Sequence, residues 1–388
     1  MYVYGSLRKN LYPTLTEIKT AQQLADDEDP RSRDQRPLHS ILARISTASP
    51  RLSGLILTRK TALTSFDFVI RSNNPDRAEK IKSRLQRIYQ DICAAVIDAR
   101  LFGVAAVGLS WEVSKELSSV APVISKRYHI TELERTADGD ISLLEYQNNN
   151  NRFKRLPAEN SGKLIVISDI STMPGGILRS LLYHEYLRNE TIKEWSNFNR
   201  KLKGLIQAKA DDGQKPDAAA ALKNFILNNY AVTDKDVEFV LNDLTSSKSL
   251  ESFPAFLDYL NKEINIAILG QANMTELPNN SGSRAALQIL NLIRSDILFS
   301  DMQLAKQVFN QIVKYDYQMN VSKNSDPDAS FEFVFDDNSD LETTARIIEL
   351  AVDSGIPLIK SEVYERIGFT PPADDDEIFE LNKPSMRI

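Results

Sequence analysis

The chain has 388 residues, 42% of them hydrophobic, a formal net charge of −6 and a single cysteine, with an isoelectric point near 5.4. Its length exceeds what one core usually serves, so two or more substructures are expected, and the apolar content excludes a disordered chain. The acidic balance excludes a protein that grips nucleic acid through clustered Lys and Arg, and the lone Cys93 excludes an intrachain disulfide. No segment approaches the roughly 18 uninterrupted apolar residues of a membrane span, and MYVYGSLRKN has no apolar signal core, so a soluble protein made in a reducing cytoplasm is expected.

Residues 1–37 are polar and end in ADDEDPRSRDQRP, which reads as an extended arm outside the core. From Leu38, LHSILARISTASPRLSGLILTRKTAL carries helical signals that Pro50 and Gly54 interrupt, and SFDFVIRS alternates as a strand does. DRAEKIKSRLQRIYQDICAAVIDARLFG then places Ile81, Leu85, Ile88, Ile92 and Val96 near helical spacing, predicting one charged helix stopped by Gly103. VAAVGLSWEVS, VISKRYHITELERT, ISLLEYQ and KLIVISDIS follow, separated by turn signals, as a β-rich module.

A long helix is expected to open at Pro174 and Gly175 and to close at Gly204, about 28 residues or on the order of 40 Å. LIQAKA and VEFVLND read as strands around the helix PDAAAALKNFILNNY, a small αβ unit between long helices. The second of these is ESFPAFLDYLNKEINIAILG. After the polar stretch QANMTELPNNSGS, a further helix runs to Asn320 with Ala286, Leu290, Ile293, Ile297, Leu304, Val308 and Ile312 as an apolar stripe. FEFVFDD is a strand, ETTARIIELAVDSGIP a helix closed by Gly355, and SEVYERIGFTPPADDDEIF a short helix with an acidic tail.

A search for chemistry returns little. His39, His129 and His184 lie in unrelated segments without a second ligand at metal-binding spacing. His184 and Glu185 are adjacent on a helix and point apart. There is no G-x-x-x-x-G-K-[ST] phosphate cradle, and SGSRAAL lacks the pattern of a nucleophilic serine turn. The runs Asp26 to Asp29 and Asp374 to Glu377 mark solvated ends. Trp111 and Trp195 are explained by core or interface packing. No catalytic residue, cofactor or metal is assigned, and the chain does not read as an enzyme; a hydrolase or nuclease with a hidden carboxylate metal site stays as the least favoured alternative.

Five segments, in this order, resemble the Mu-like portal family of tailed bacteriophages. They are the opening helices and strand with Arg59; Phe102, Gly103 and Trp111; the entry to the long helix with Pro174, Gly176, Leu178, Trp195 and Phe198; the tract with Leu269, Gly270, Gln271, Thr275, Gly282, Ser283 and Ala285; and the final third with Asp296, Asp301, Asn320 and the GF-x-x-P turn. The resemblance implies an α+β portal fold with an α/β wing, a long-helix stem, a small αβ clip, and a tunnel helix with its loop. The divisions it implies are an N-terminal arm 1–37, wing 38–173, first stem helix 174–203, clip 204–249, second stem helix 250–270, tunnel loop 271–283, tunnel helix 284–320, and a wing return with crown-like C-terminal segment 321–388.

It implies a dodecameric ring at one capsid vertex through which double-stranded DNA passes non-specifically during packaging and ejection. The implied partners are the terminase large subunit, the major capsid protein and head-completion or tail connector proteins; the implied location is the virion, after assembly in the host cytoplasm. Asn273, Met274, Thr275, Glu276, Asn279, Asn280 and Ser281 would face the DNA, and Lys209, Asp211, Asp212 and Lys215 the terminase. A phage structural or scaffolding protein with a helical hairpin and no conduit is the alternative reading.

Overall fold

The computed structural model describes residues 12–29, 33–114, 119–136, 139–147, 152–169, 171–200, 205–209, 213–228, 238–242, 247–272, 284–321, 327–334, 341–367, 369 and 371–372. It divides into two units, Met1–Phe333 and Val334–Ile388.

The larger unit begins with α1 (Leu15–Ala25), where the sequence led us to expect an arm outside the core. Thr14 and Glu17 form a capping box: the Glu17 amide donates to Thr14 Oγ1 at 3.2 Å and the Thr14 amide to Glu17 Oε2 at 2.8 Å. Ile18, Ala21 and Ala25 are buried in the main core. The T-x-x-E signature and this spacing outweigh the charges around them. α2 (Arg36–Ala48) and α3 (Pro50–Thr64) follow. Pro50 opens α3 under a Ser49 cap (Leu52 amide to Ser49 Oγ, 3.2 Å), whereas Gly54 sits inside the helix and interrupts nothing.

β1 (Phe68–Ser72) lies where the alternation placed it, but the expected single charged helix is two, α4 (Pro75–Gln86) and α5 (Tyr89–Phe102). No Gly or Pro marks the break; Ile88 and Tyr89 are buried there, and the Tyr89 hydroxyl donates to Phe66 O at 2.6 Å, so tertiary packing sets the new direction. The β-rich module holds β2 (Val104–Ser114), β3 (Ser119–Arg127), a 3-10 turn (Ile130–Glu132), β4 (Leu133–Arg135), β5 (Ile141–Gln147), β6 (Arg152–Pro157) and β7 (Leu164–Ser168). They form two antiparallel sheets, β3-β2-β7 and β4-β5-β6. Strand alternation splits β2 between two cores: Ala105, Val107 and Leu109 join the main one, Val104 and Ala106 a smaller one with Ile130, Leu133, Ala158 and Val166.

α6 (Gly176–Arg200) has 25 residues, and α8 (Ser247–Leu269) has 23 and runs on through Pro254. Between them lie β8 (Leu205–Lys209), α7 (Lys215–Asn228) and β9 (Glu238–Asn242), with β8 and β9 paired antiparallel. α9 (Arg284–Asn320) has 37 residues, roughly 55 Å. β10 (Ala329–Phe333) returns to pair antiparallel with β1, Phe331 opposite Ile70. Phe309 of α9 stacks on Phe331 (4.3 Å between centroids) and Tyr89 (5.5 Å), and Phe68 stacks on Phe331 (4.9 Å). Asparagines occupy backbone donors on three edge strands: Asn310 for Phe331, Asn160 for Val166 and Asn320 for Val120. An edge amide satisfied in this way is less open to another strand.

The smaller unit contains α10 (Leu341–Asp353) and α11 (Lys360–Ile367), which pack on each other across a turn with Gly355 at φ 74°. Ile347, Leu350 and Ile359 are about three-fifths exposed.

Candidate functional site

The candidate site is a set of long helices together with the groups that fix them. α3 packs against both α8 and α9, and two of its arginines reach across. Arg51 Nε and Nη2 donate to Asn265 Oδ1 at 3.2 and 2.9 Å, and the Asn265 amide donates to Ala272 O at 2.7 Å. Arg59 uses three donors: Nε and Nη2 meet the Asp301 carboxylate at 2.8 and 2.9 Å, and Nη1 meets Ile268 O at 2.8 Å. Asp301 is fully buried and also lies 3.3 Å from Arg100 Nε. Arg100 extends the network to Asp169 at 2.7 Å, whose carboxyl is held below the ordinary value: the Ser171 and Arg100 hydrogen bonds outweigh its burial, the largest single influence. α8 ends at Gly270, with φ 75° and its amide on Ile266 O at 2.8 Å; only glycine takes such a left-handed cap freely.

Further along α9, Arg84 of α4 meets Asp316 through Nε (2.7 Å) and Nη2 (2.5 Å), both side chains being essentially buried. Burial pushes the Asp316 carboxyl upward against the pull of Arg84. One turn later, Asn320 accepts from the Val120 amide and donates to Val120 O, both at 2.9 Å, so its side chain serves as a strand partner for β3. Arg59, Asp301 and Asn320, separate in the sequence, thus all belong to the seating of α9.

α6 starts at a close backbone contact with the end of α5. A Cβ on Gly176 would lie 2.4 Å from Leu101 O, and one on Gly103 would lie 3.0 Å from the Gly176 amide; both glycines have positive φ. Arg135 Nη1 binds Gly103 O (3.0 Å) and Asp169 O (2.7 Å), tying the same junction. Farther along α6, Glu185 is fully buried and neither carboxylate oxygen accepts a hydrogen bond of ordinary geometry. Arg188 Nη1 is 3.8 Å away, and burial raises the Glu185 carboxyl above the usual range. Tyr12, also raised by burial and then by Glu185, faces it.

The outward sides of α6 and α8 are apolar in places. Tyr183 and Tyr259 are more than half exposed, and Ile192, Phe256 and Ile266 about two-fifths. Phe256 stacks on Tyr259, and Tyr183 on Tyr186.

Groups that carry chemistry elsewhere are engaged structurally. His39 is buried in α2 and depressed to about 4 by desolvation, while His129 caps the 3-10 turn. Cys93 is buried and its thiol pushed up to about 12. A cavity of about 220 Å³ between α2, α5 and β2 has Asp91, Asp98 and Arg127 in its lining, but Asp91 pairs with Arg127, and Asp98 with Lys60 at 2.6 Å. Among the described residues no group of three His, Cys, Asp or Glu could hold a metal ion, and no helix is long and apolar enough to cross a membrane.

Of the residues expected to face DNA, Asn273, Met274, Thr275, Glu276, Asn279, Asn280 and Ser281 lie outside the described residues, as do Asp211 and Asp212 of the expected terminase face. Lys209 ends β8 and Lys215 begins α7, both exposed. The pairs Arg84–Asp316 and Arg51–Asn265, and the buried Glu185, were not foreseen. Their one sequence signal is a polar residue on an apolar stripe: Asp301, Ala305, Val308, Ile312 and Asp316 share a face of α9.

A family model described as the portal protein of Mu bacteriophage matches residues 39–369. Among solved structures, the chain is similar to one in the neck of a native GTA particle computed with C12 symmetry, at TM-score 0.51 and 12% identity, covering 92% of this chain and 100% of that one. A chain in the neck of an empty GTA particle computed with C6 symmetry matches at TM-score 0.51 and 10% identity, covering 85% and 94%. An HK97 family phage portal protein from Corynebacterium diphtheriae matches at TM-score 0.45 and 12% identity, covering 81% and 97%. At these identities the likeness to the two GTA neck chains is one of fold alone. No curated protein matches.

Proposed function

The chain belongs to the family of portal proteins of Mu bacteriophage, and from that premise we propose that twelve copies close into a ring at one vertex of the capsid, the channel for genome packaging and ejection. The observation that carries this reading is the outward apolar side of α6 and α8, with Tyr183, Phe256 and Tyr259 left exposed on helices too long for one subunit to cover. Heterologous contacts repeated around a closed ring would bury them. The C12 symmetry of the GTA neck with a similar chain fits the number.

In this reading residues 38–173 and the returning β10 form the wing, 174–203 and 250–270 the stem, and 204–249 the clip. Lys209, Asp211, Asp212 and Lys215 face the terminase. Residues 271–283 form the tunnel loop, presenting Asn273, Met274, Thr275, Glu276, Asn279, Asn280 and Ser281 to passing DNA, 284–320 the tunnel helix, and 321–388 the return and a crown-like segment. The major capsid protein and head-completion proteins dock on the ring, which resides in the virion. A net charge of −6 per subunit suits a conduit that must not hold DNA, because an acidic wall repels phosphates instead of releasing counterions to bind them.

Negative-stain imaging of the purified protein is the direct test. Rings with a central hole are expected, and a monomer that persists at high concentration would count against the reading. Deleting Met274 to Ser281 should leave rings intact and impair packaging or retention of DNA; loss of rings instead would make that segment structural.

A further inference from the structure

α8 and α9 both pack on α3, which links them directly, beside a longer route through α6 and α5. Arg59 is the α3 side chain that binds both, Ile268 O at the end of α8 and the Asp301 carboxylate on α9. We infer that Arg59 is a positioning residue, whose guanidinium sets the register of α8 against α9 within each subunit.

Three facts support this. The carbonyl of Ile268 is among the last four of its helix, which have no partner inside the helix, and a cation there also meets the negative end of the helix dipole. A guanidinium is a flat fork with fixed donor directions, so holding two acceptors from two helices at 2.8 to 2.9 Å allows little sliding of either. Beside the fork lies a small cavity of about 20 Å³ lined by Arg59, Leu269, Ile297, Leu298 and Asp301, so apolar side chains do not fill all the space next to it. A buried ion pair is weak evidence for stability, since its desolvation offsets much of its attraction; geometry is what this one supplies best. The consequence for a channel rests on the proposed function: the helix entering the proposed tunnel loop and the helix leaving it would be aligned by the subunit itself, before any neighbour arrives.

The test uses the full chain with Lys262→Cys and Gln303→Cys, exposed positions on α8 and α9, spin-labelled and diluted into unlabelled protein. Cys93 is buried with its thiol pushed up to about 12, so it does not compete for label. Electron paramagnetic resonance reads the distance between labels. The double variant Arg59→Met/Asp301→Leu, which keeps apolar volume in place of the pair, is expected to keep the parent's unfolding midpoint but to broaden or shift the distance distribution. Arg59→Lys, which keeps the charge but loses the fork, should fall between the two.

A parent-like distribution in the folded double variant overturns the inference, and if that variant does not fold, a parent-like distribution in Arg59→Lys does so. Imaging of unlabelled parent protein is read separately. Absent rings would remove the portal reading while leaving the helix register as measured.

Discussion

The half of α9 from Asp301 onward and the outward faces of α6 and α8 are built on opposite principles. The first is closed by its own subunit: Met302, Ala305, Phe309, Ile312 and Val313 are buried, and Asp301 and Asp316 each meet an arginine from another helix. The second is left open, with Tyr183, Phe256 and Tyr259 stacked only in part and facing outward. A subunit that must hold its shape alone and still join others needs both. In the proposed ring, charge buried inside the subunit would fix geometry, and apolar surface outside it would supply the association free energy.

The sharpest way to break this comparison is to remove one member of an internal pair. Arg84→Met or Asp316→Leu alone should cost about 3–5 kcal/mol in urea unfolding, because each leaves a buried charge without its mate. Arg84→Met/Asp316→Leu together should cost much less. Near-neutral single variants would show that water reaches the pair and that α9 is seated by its apolar contacts alone.

Truncating the open faces should give the reverse pattern. Tyr259→Ala or Tyr183→Ala should leave subunit unfolding within about 0.5 kcal/mol of the parent, as surface changes do. Each should weaken assembly by about 1–2 kcal/mol per contact if it sits at the centre of an interface, read from the protein concentration at which rings dissociate. Unchanged assembly together with lower subunit stability would place these side chains in the subunit's own packing.

What the sequence made legible follows the same divide. α6, α8, α9 and the β8–α7–β9 unit were placed from periodicity and from Pro and Gly punctuation, because helices this long repeat their pattern many times. β1 and β10 were readable as alternating strands, but not as partners, since pairing across more than two hundred residues leaves no local trace. The break at Ile88 and the β6 strand RFKRLP escaped because neither has a local signal strong enough to compete: the first depends on Tyr89 packing against Phe68, the second on pairing with β5. α1 was obscured by charge, although its capping box was present. The Arg59–Asp301 pair was half legible, both residues standing out by resemblance while their contact needed three dimensions.

The smallest expected effect concerns Glu185, at the border between the two regions. It lies on α6 and is fully buried; Tyr12 before α1, Ser49 before α3, Arg51 on α3 and Arg188 on α6 face it. Burial raises its carboxyl in the folded protein above the ordinary value of 4.5. Well below that value the group is protonated whether the chain is folded or not. As pH rises past it, the unfolded chain releases the proton first, so the folded state binds more protons and stability falls until the folded value is passed. Each unit by which the folded value exceeds the unfolded one is worth about 1.4 kcal/mol of stability lost at high pH. Glu185→Gln removes this proton from the balance, so the variant's melting temperature should gain on the parent's as pH rises above 4.5. Asp98 and Asp316, also raised by burial, titrate in both proteins and cancel in the difference. Parallel melting curves across that window would mean that Arg188 and Arg51 neutralise Glu185 fully, and that the α6 border is another internally paired site like those on α9.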